Sequence, residues 1–114
     1  MKKVAVVTDS SASLPGDLAR DLGIHVVPIM LVLNGYTFHD GVDITPGELY
    51  RLLRSTRHSP TTSAPSIGDF LRVYAAAAET ASGIVSIHMS PKLSATHISA
   101  RAASQLVDDL PIRI

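Results

Sequence analysis

The sequence contains no cysteine, and this absence limits its chemistry. With no cysteine among its 114 residues, the chain forms no disulfide and offers no thiolate to a metal ion. An excess of charge of one sign is also missing, because 10 Lys and Arg residues balance 10 Asp and Glu residues. Such a chain presents no basic field to nucleic acid or to an anionic membrane. The composition therefore predicts a cytoplasmic protein with no nucleic-acid partner.

Long hydrophobic runs are absent as well. The apolar segment near the N-terminus covers only Val4 to Val7, which is too short for the hydrophobic core of a signal peptide. The longest apolar run, Ile24 to Leu33, contains His25 and Pro28 and is too short to span a bilayer. We therefore expect a soluble protein without membrane insertion.

The residues that are present suffice for one domain, residues 1–114, because 46% of them are hydrophobic. Short β-branched runs alternate with helical patterns, which predicts an α/β fold with a mostly parallel sheet and flanking helices. Asn34-Gly35 predicts a β-hairpin inserted after the second strand. The last helix is expected to turn Ile98, Ala102 and Leu106 inward. The predicted strands cover residues 3–8, 24–33, 84–89 and 111–114, and the predicted helices cover residues 15–22, 46–55, 67–81 and 94–107.

The most informative segment runs from Pro60 to Asp69. It holds Thr62 and Ser63 between two prolines, each of which biases the preceding residue toward an extended backbone, so a stiff loop is expected. Ser66, with an aspartate three positions later, predicts a helix start whose free N–H groups and positive dipole end face the same region. Hydroxyls beside a helix N-terminus suit a carboxylate or a phosphate. An ordinary N-cap beside a polar loop explains the same residues, and both interpretations stay open.

Asp9 and Ser10 follow the first strand directly, at the end where ligands of parallel sheets gather. Asp9 either orders its loop as a hydrogen-bond acceptor or acts as a nucleophile of the phosphatase type. Ser11 stands where one common version of that site has a second aspartate. Ser94, in the loop before the last helix, either caps that helix or shares an anion with the hydroxyls of the Pro60 to Asp69 segment.

Other catalytic signatures are missing. The sequence has no glycine-rich dinucleotide loop, no GxxxxGK[ST] phosphate loop and no GxSxG nucleophile turn. Its five histidines lack the spacing of metal ligands, so no metal site is expected. His88 is expected to pack in the core or at a sheet edge.

Taken in order, several motifs resemble the DegV family of bacterial fatty-acid-binding proteins. They are Val7-Thr8-Asp9-Ser10 with Leu14-Pro15, Thr62-Ser63-x-Pro65-Ser66-x-Gly68-Asp69-Phe70, and Ser90-x-x-Leu93-Ser94-x-Thr96. The resemblance implies a carrier that is not an enzyme and has no cofactor. It implies one bound long-chain fatty acid, whose carboxylate is held by Thr62 and Ser94 with Ser63 beside them and Asp9 and Ser10 nearby. In some members a separate fatty-acid kinase receives the acid.

The chain departs from the family in two ways. Ala64, Pro91 and Ala95 stand where the family often has Gln, Ser and Gly. The family is also longer, so the chain resembles its N-terminal domain without the second domain that closes the tunnel. An open half-tunnel would favour a homodimer. The alternatives are a small hydrolase or phosphotransferase that uses Asp9 or Ser10, and a fragment that has lost ligand binding.

Overall fold

The computed structural model describes residues 3–55 and 59–114. Its strands and helices are, in chain order, β1 (Val4–Asp9), α1 (Gly16–Leu22), β2 (His25–Val27), β3 (Met30–Leu33), β4 (Tyr36–His39), α2 (Pro46–Ser55), β5 (Thr61–Ser63), α3 (Ile67–Ala78), β6 (Gly83–Ile87), α4 (Thr96–Ser104) and β7 (Ile112–Arg113). Every helix in these two ranges is too short or too polar to cross a membrane.

A four-stranded parallel sheet in the order β2-β1-β6-β7 forms the centre of the fold. Helices α3 and α4 lie side by side, and α3 packs against β2, β1 and β6. Phe70 and Tyr74 of α3 are fully buried there, together with Val7 and Val27 from the sheet. The predicted α/β fold with a mostly parallel sheet is therefore confirmed.

The opposite face of this sheet is more exposed. Val85 and Ile87 of β6 point away from α3 because side chains alternate along a strand, and they are 38% and 57% exposed. Ile84, on the α3 side of the same strand, is only 2% exposed. Burial in β6 therefore alternates between a covered and an open face.

The predicted single strand over residues 24–33 is wrong, because the chain breaks there into two strands of different sheets. Strand β2 joins the parallel sheet, whereas β3 pairs antiparallel with β4 and β5 in a second sheet. Pro28 lies between them, and its missing N–H prevents a continuous ladder. The hairpin is confirmed, since Asn34 and Gly35 both have the positive φ, 52° and 80°, that a two-residue turn requires.

The prediction of a loop around Thr62 and Ser63 is also wrong. These residues form β5, which pairs Thr62 with Leu31 and Ser63 with Met30 of β3. The prolines favour an extended backbone, and β3 supplies hydrogen-bond partners that local sequence does not reveal.

Helix starts agree better with prediction than helix ends. Ser66 is the N-cap of α3, and Ser66 and Asp69 form a reciprocal capping box, as predicted. Helix α3 ends at Ala78, three residues before the predicted end, and Gly83 begins β6.

Helix α4 contradicts the predicted inward face. Ile98 and Leu106 are 59% and 64% exposed and Ala102 is half-buried, whereas the fully buried side chains are those of Ala100 and Ala103. The physical reason is that α4 lies against α3, and small side chains let two helices approach closely.

Candidate functional site

The carboxyl ends of β1, β2 and β6 lie together at one edge of the parallel sheet. Asp9 pairs with Val27, and Thr8 pairs with Ile87. The next residues along the two chains, Asp9 and His88, therefore lie side by side. This edge, formed by Asp9, Val27 and His88, is the carboxyl edge of the sheet. It is the position at which parallel sheets commonly bind ligands.

Asp9 is buried and fully engaged with protein donors. One carboxylate oxygen, Oδ2, lies 2.5 Å from Nδ1 of His88, and the two side chains are 2% and 0% exposed. The other, Oδ1, accepts hydrogen bonds from the Ser11 amide at 2.9 Å and from the Ser11 hydroxyl. The predicted role of Asp9 as the acceptor that orders its loop is therefore confirmed.

The hydrogen bonds also determine the charge of Asp9. Burial alone would raise the pKa of its carboxyl group, but the donors from His88 and Ser11 outweigh burial and hold the pKa below its usual value of 3.8. Asp9 is thus an anion at neutral pH whose oxygens already face donors of the protein.

Ser10 begins a short 3-10 turn, Ser10–Ala12, immediately after Asp9. Its hydroxyl accepts a hydrogen bond of 2.9 Å from the amide of Ile29, which precedes β3. Ser10 therefore ties the turn after β1 to the start of the second sheet.

Ser10 also lines a cavity of about 550 Å³. The walls of the cavity are mainly apolar and include Leu14, Val26, Pro28 and Val42. None of the other residues predicted to bind the ligand, Asp9, Thr62, Ser63 and Ser94, lines this cavity.

His88 is the centre of a buried hydrogen-bond network that the sequence analysis missed. Its Nε2 atom lies 2.6 Å from the hydroxyl of Ser86, which accepts a hydrogen bond of 2.9 Å from Tyr74. The ring of Phe70 meets the His88 ring edge-on, with 5.1 Å between centroids. The predicted packing of His88 in the core is confirmed. Sequence reasoning could have paired Asp9 with His88, because Asp9 ends β1, His88 follows β6, and these two strands are neighbours in the parallel sheet.

The order Asp9, His88, Ser86 matches the hydrogen-bond order of a hydrolase triad. Ser86, however, is 1% exposed and lines neither the 550 Å³ cavity nor a second cleft of about 500 Å³ beside Thr61. Among the described residues, the Ser86 hydroxyl is therefore buried away from both clefts.

Thr62 and Ser63 lie in β5 with exposed side chains. Adjacent strand residues point to opposite faces, so Thr62 shares a face with Leu31 and Ser63 shares a face with Met30. Within residues 3–55 and 59–114, neither hydroxyl has a hydrogen-bond partner. Both are therefore available to a ligand, on different faces of the strand.

Ser94 lies in the loop that leads from β6 to α4. Its hydroxyl accepts a hydrogen bond of 3.2 Å from the Thr96 amide and donates one of 3.0 Å to the Thr96 hydroxyl. Ser94 thus bonds one free amide at the start of α4 from the residue before the N-cap, which is Ala95 and makes no side-chain capping bond. Among the described residues, no hydrogen bond joins Ser94 to Thr62 or Ser63.

The N-terminus of α3 lies near the carboxyl edge, and the chain leaves this edge through the loop that leads to α4. Phe70, in the first turn of α3, contacts His88, and α4 begins after the loop that leaves β6. Helix N-termini carry partial positive charge. Among the described residues there is no cluster of three potential metal ligands, and His58 lies outside them.

Comparisons with known proteins agree with this fold. The family model described as "Uncharacterised protein, DegV family" matches residues 3–114. A DegV domain-containing protein of Caldanaerobacter subterraneus subsp. tengcongensis is 37% identical over 114 residues, which are 100% of this chain and 40% of the relative.

Two solved structures are also similar. A DegV family protein from Thermus thermophilus, described by its fatty-acid binding, is 41% identical with a TM-score of 0.85, over 100% of this chain and 40% of its own. DegV from Bacillus subtilis, described as a fatty acid binding protein, is 30% identical with a TM-score of 0.91, over 98% of this chain and 40% of its own. This chain thus spans about 40% of the length of these relatives. With a family match over residues 3–114, the chain belongs to the DegV family.

Proposed function

We propose that the chain is a binding module for one long-chain fatty acid and acts as a carrier, not as an enzyme. Thr62 and Ser94 bind the carboxylate with Ser10 nearby, whereas Ser63 lies on the opposite face of β5 and does not contact the same carboxylate. Asp9 supports the site from behind, because both of its oxygens already accept hydrogen bonds from the protein. The observation that carries the proposal is the unpaired hydroxyl of Thr62 on a strand that leads directly to the N-terminus of α3. The fatty-acid binding described for the relatives from Thermus thermophilus and Bacillus subtilis supports it.

Hydroxyls and helix ends suit a carboxylate that has no full counter-charge. Hydrogen bonds to a charged acceptor are about twice as strong as neutral ones, and the dipoles of α3 and α4 favour negative charge near their N-termini. Thr62 also shares its strand face with Leu31 and, across β3, with Phe38. This face offers apolar contacts to an acyl chain, whose burial contributes about 0.8 kcal/mol per methylene.

Two finer proposals rest on the family likeness. The bound acid is presented to a separate fatty-acid kinase, and no cofactor other than the fatty acid is needed. The exposed side chains of Val85 and Ile87 support a homodimer of this part of the protein.

The experiment measures retention of palmitate by native mass spectrometry and its affinity by titration. We expect Thr62→Ala combined with Ser94→Ala to abolish retention. The matched control combines Thr61→Ala and Ser104→Ala, which remove the same two hydroxyl types from β5 and α4, and it should retain palmitate. The unfolding free energy of each variant is measured alongside. The Thr62 and Ser94 double variant should lose about 1 kcal/mol, because Ser94 accepts a hydrogen bond from the Thr96 amide. Unchanged palmitate binding in the Thr62 and Ser94 double variant would contradict the assignment.

A further inference from the structure

The Asp9 carboxylate connects three segments that carry the proposed binding hydroxyls. Through Ser11 it holds the turn that contains Ser10, and Ser10 in turn accepts the hydrogen bond of Ile29. Ile29 precedes Met30, the partner of Ser63 in the second sheet. Through His88, the same carboxylate holds the residue from which the loop to Ser94 departs.

One arrangement of protons gives every side chain of the network around His88 a partner. Tyr74 donates to Ser86, so the Ser86 hydroxyl has its own proton left for Nε2 of His88. Nε2 is then an acceptor, and the ring proton on Nδ1 points to Asp9. With these proton positions, each of the four side chains has a hydrogen-bond partner: Tyr74, Ser86, His88 and Asp9. Among the described residues, no buried polar side-chain atom lacks a partner. The Phe70 ring contacts the His88 ring from α3 and limits its rotation.

We propose that His88 is a positioning residue of the head-group site. It does not contact the ligand but acts through its Nδ1 hydrogen bond to Asp9, which keeps the Ser10 turn, the start of β3 and the Ser94 loop in the register that the carboxylate requires. This inference rests on the proposed fatty-acid binding and adds to it a determinant that lies behind the hydroxyls. The bond to Ser86 orients the ring, and the bond to Asp9 couples the segments.

Two substitutions separate these bonds. In His88→Asn the side-chain amide stands at the position of Nδ1 and still reaches Asp9, whereas in His88→Gln it stands at the position of Nε2 and reaches Ser86. Both variants lose the imidazole ring and its contact with Phe70, so the loss of packing is common to the pair. His25→Gln, at a half-buried histidine of β2 outside the network, is the control.

Amide hydrogen exchange is measured by NMR for Ser11, Ile29 and Thr96, and palmitate affinity is measured in parallel. We expect these amides to exchange about 10- to 100-fold faster in His88→Gln than in His88→Asn. This ratio corresponds to the loss of one hydrogen bond to a charged group, the Asp9 carboxylate. Palmitate affinity should fall at least about tenfold further in His88→Gln than in His88→Asn, and it should stay close to wild type in His25→Gln. In the wild type, the ¹⁵N spectrum of His88 should show a protonated Nδ1 and an unprotonated Nε2.

Equal effects of the two His88 variants on the three amides would overturn the positioning role, since a histidine that only fills the core acts equally in both. A uniform acceleration across the chain would overturn it in the same way, because it indicates global unfolding. If the wild type binds no palmitate, the proposed function is wrong. The comparison of Ser11, Ile29 and Thr96 amides between the variants then still supports or overturns the coupling through His88.

Discussion

The buried hydroxyl of Ser86 makes a sharp test of the network, because its removal leaves two partners without hydrogen bonds. Ser86→Ala leaves the Tyr74 hydroxyl and the Nε2 atom of His88 unpaired in the interior. Each unpaired buried group costs about 1–3 kcal/mol, so we expect Ser86→Ala to lower the unfolding free energy by about 2–6 kcal/mol. Tyr74→Phe keeps the ring and its contact with Phe70 and costs about 1 kcal/mol, since Ser86 still donates to His88.

The double variant distinguishes a coupled network from independent contacts. With both changes present, only Nε2 of His88 is unpaired, so the double variant should be about 1–3 kcal/mol more stable than Ser86→Ala alone. Additive contacts predict the opposite order, because a second loss would lower stability further.

Urea unfolding followed by far-UV circular dichroism measures these differences. The chain has no tryptophan and Tyr74 is itself changed, so fluorescence is unsuitable. The dependence of free energy on urea should stay constant while the midpoint moves. A double variant that is no more stable than Ser86→Ala would refute the network as described.

Two further predictions concern Asp9 and β6. Because the folded-state pKa of Asp9 is below its unfolded value of 3.8, its contribution to stability is present above that value and is lost as pH falls through the lower folded pKa. Urea midpoints measured between neutral pH and about pH 2 should therefore fall less steeply in Asp9→Asn than in wild type, and equal slopes would contradict this. Ile84→Ala should cost about 2–5 kcal/mol, whereas Ile87→Ala, three residues along on the open face, should cost under about 1 kcal/mol by the same unfolding assay.

Local signals predicted the features that depend on a few neighbouring residues. The Ser66 and Asp69 capping box, the start of α2 at Pro46 and the Asn34-Gly35 turn each arise from contacts within four positions, and the structure confirms them. The alternation of strands and helices was likewise sufficient for the parallel sheet.

The features that sequence reasoning missed depend on residues far apart along the chain. Strand β5 exists because the edge of β3 pairs with Thr61–Ser63, and nothing in the local pattern identifies that partner. Asp9 and His88 are 79 positions apart and become neighbours only because β1 and β6 lie side by side. The sequence therefore identified both residues but could not join them.

The position of an anion at an edge proposed to bind another anion needs an explanation. A bound carboxylate near Asp9 would be repelled if the charge of Asp9 were free to act. The Ser11 amide and hydroxyl and Nδ1 of His88 all donate to Asp9, so the protein itself supplies its counter-dipoles. The groups that the proposed site assigns to a ligand are then the hydroxyls of Thr62 and Ser94, together with the partial positive charge at the starts of α3 and α4. The Asp9–His88 pair and the proposed head-group site therefore use different hydrogen-bond donors. A substitution at His88 should change ligand affinity only by moving the segments that carry the donors of the head-group site.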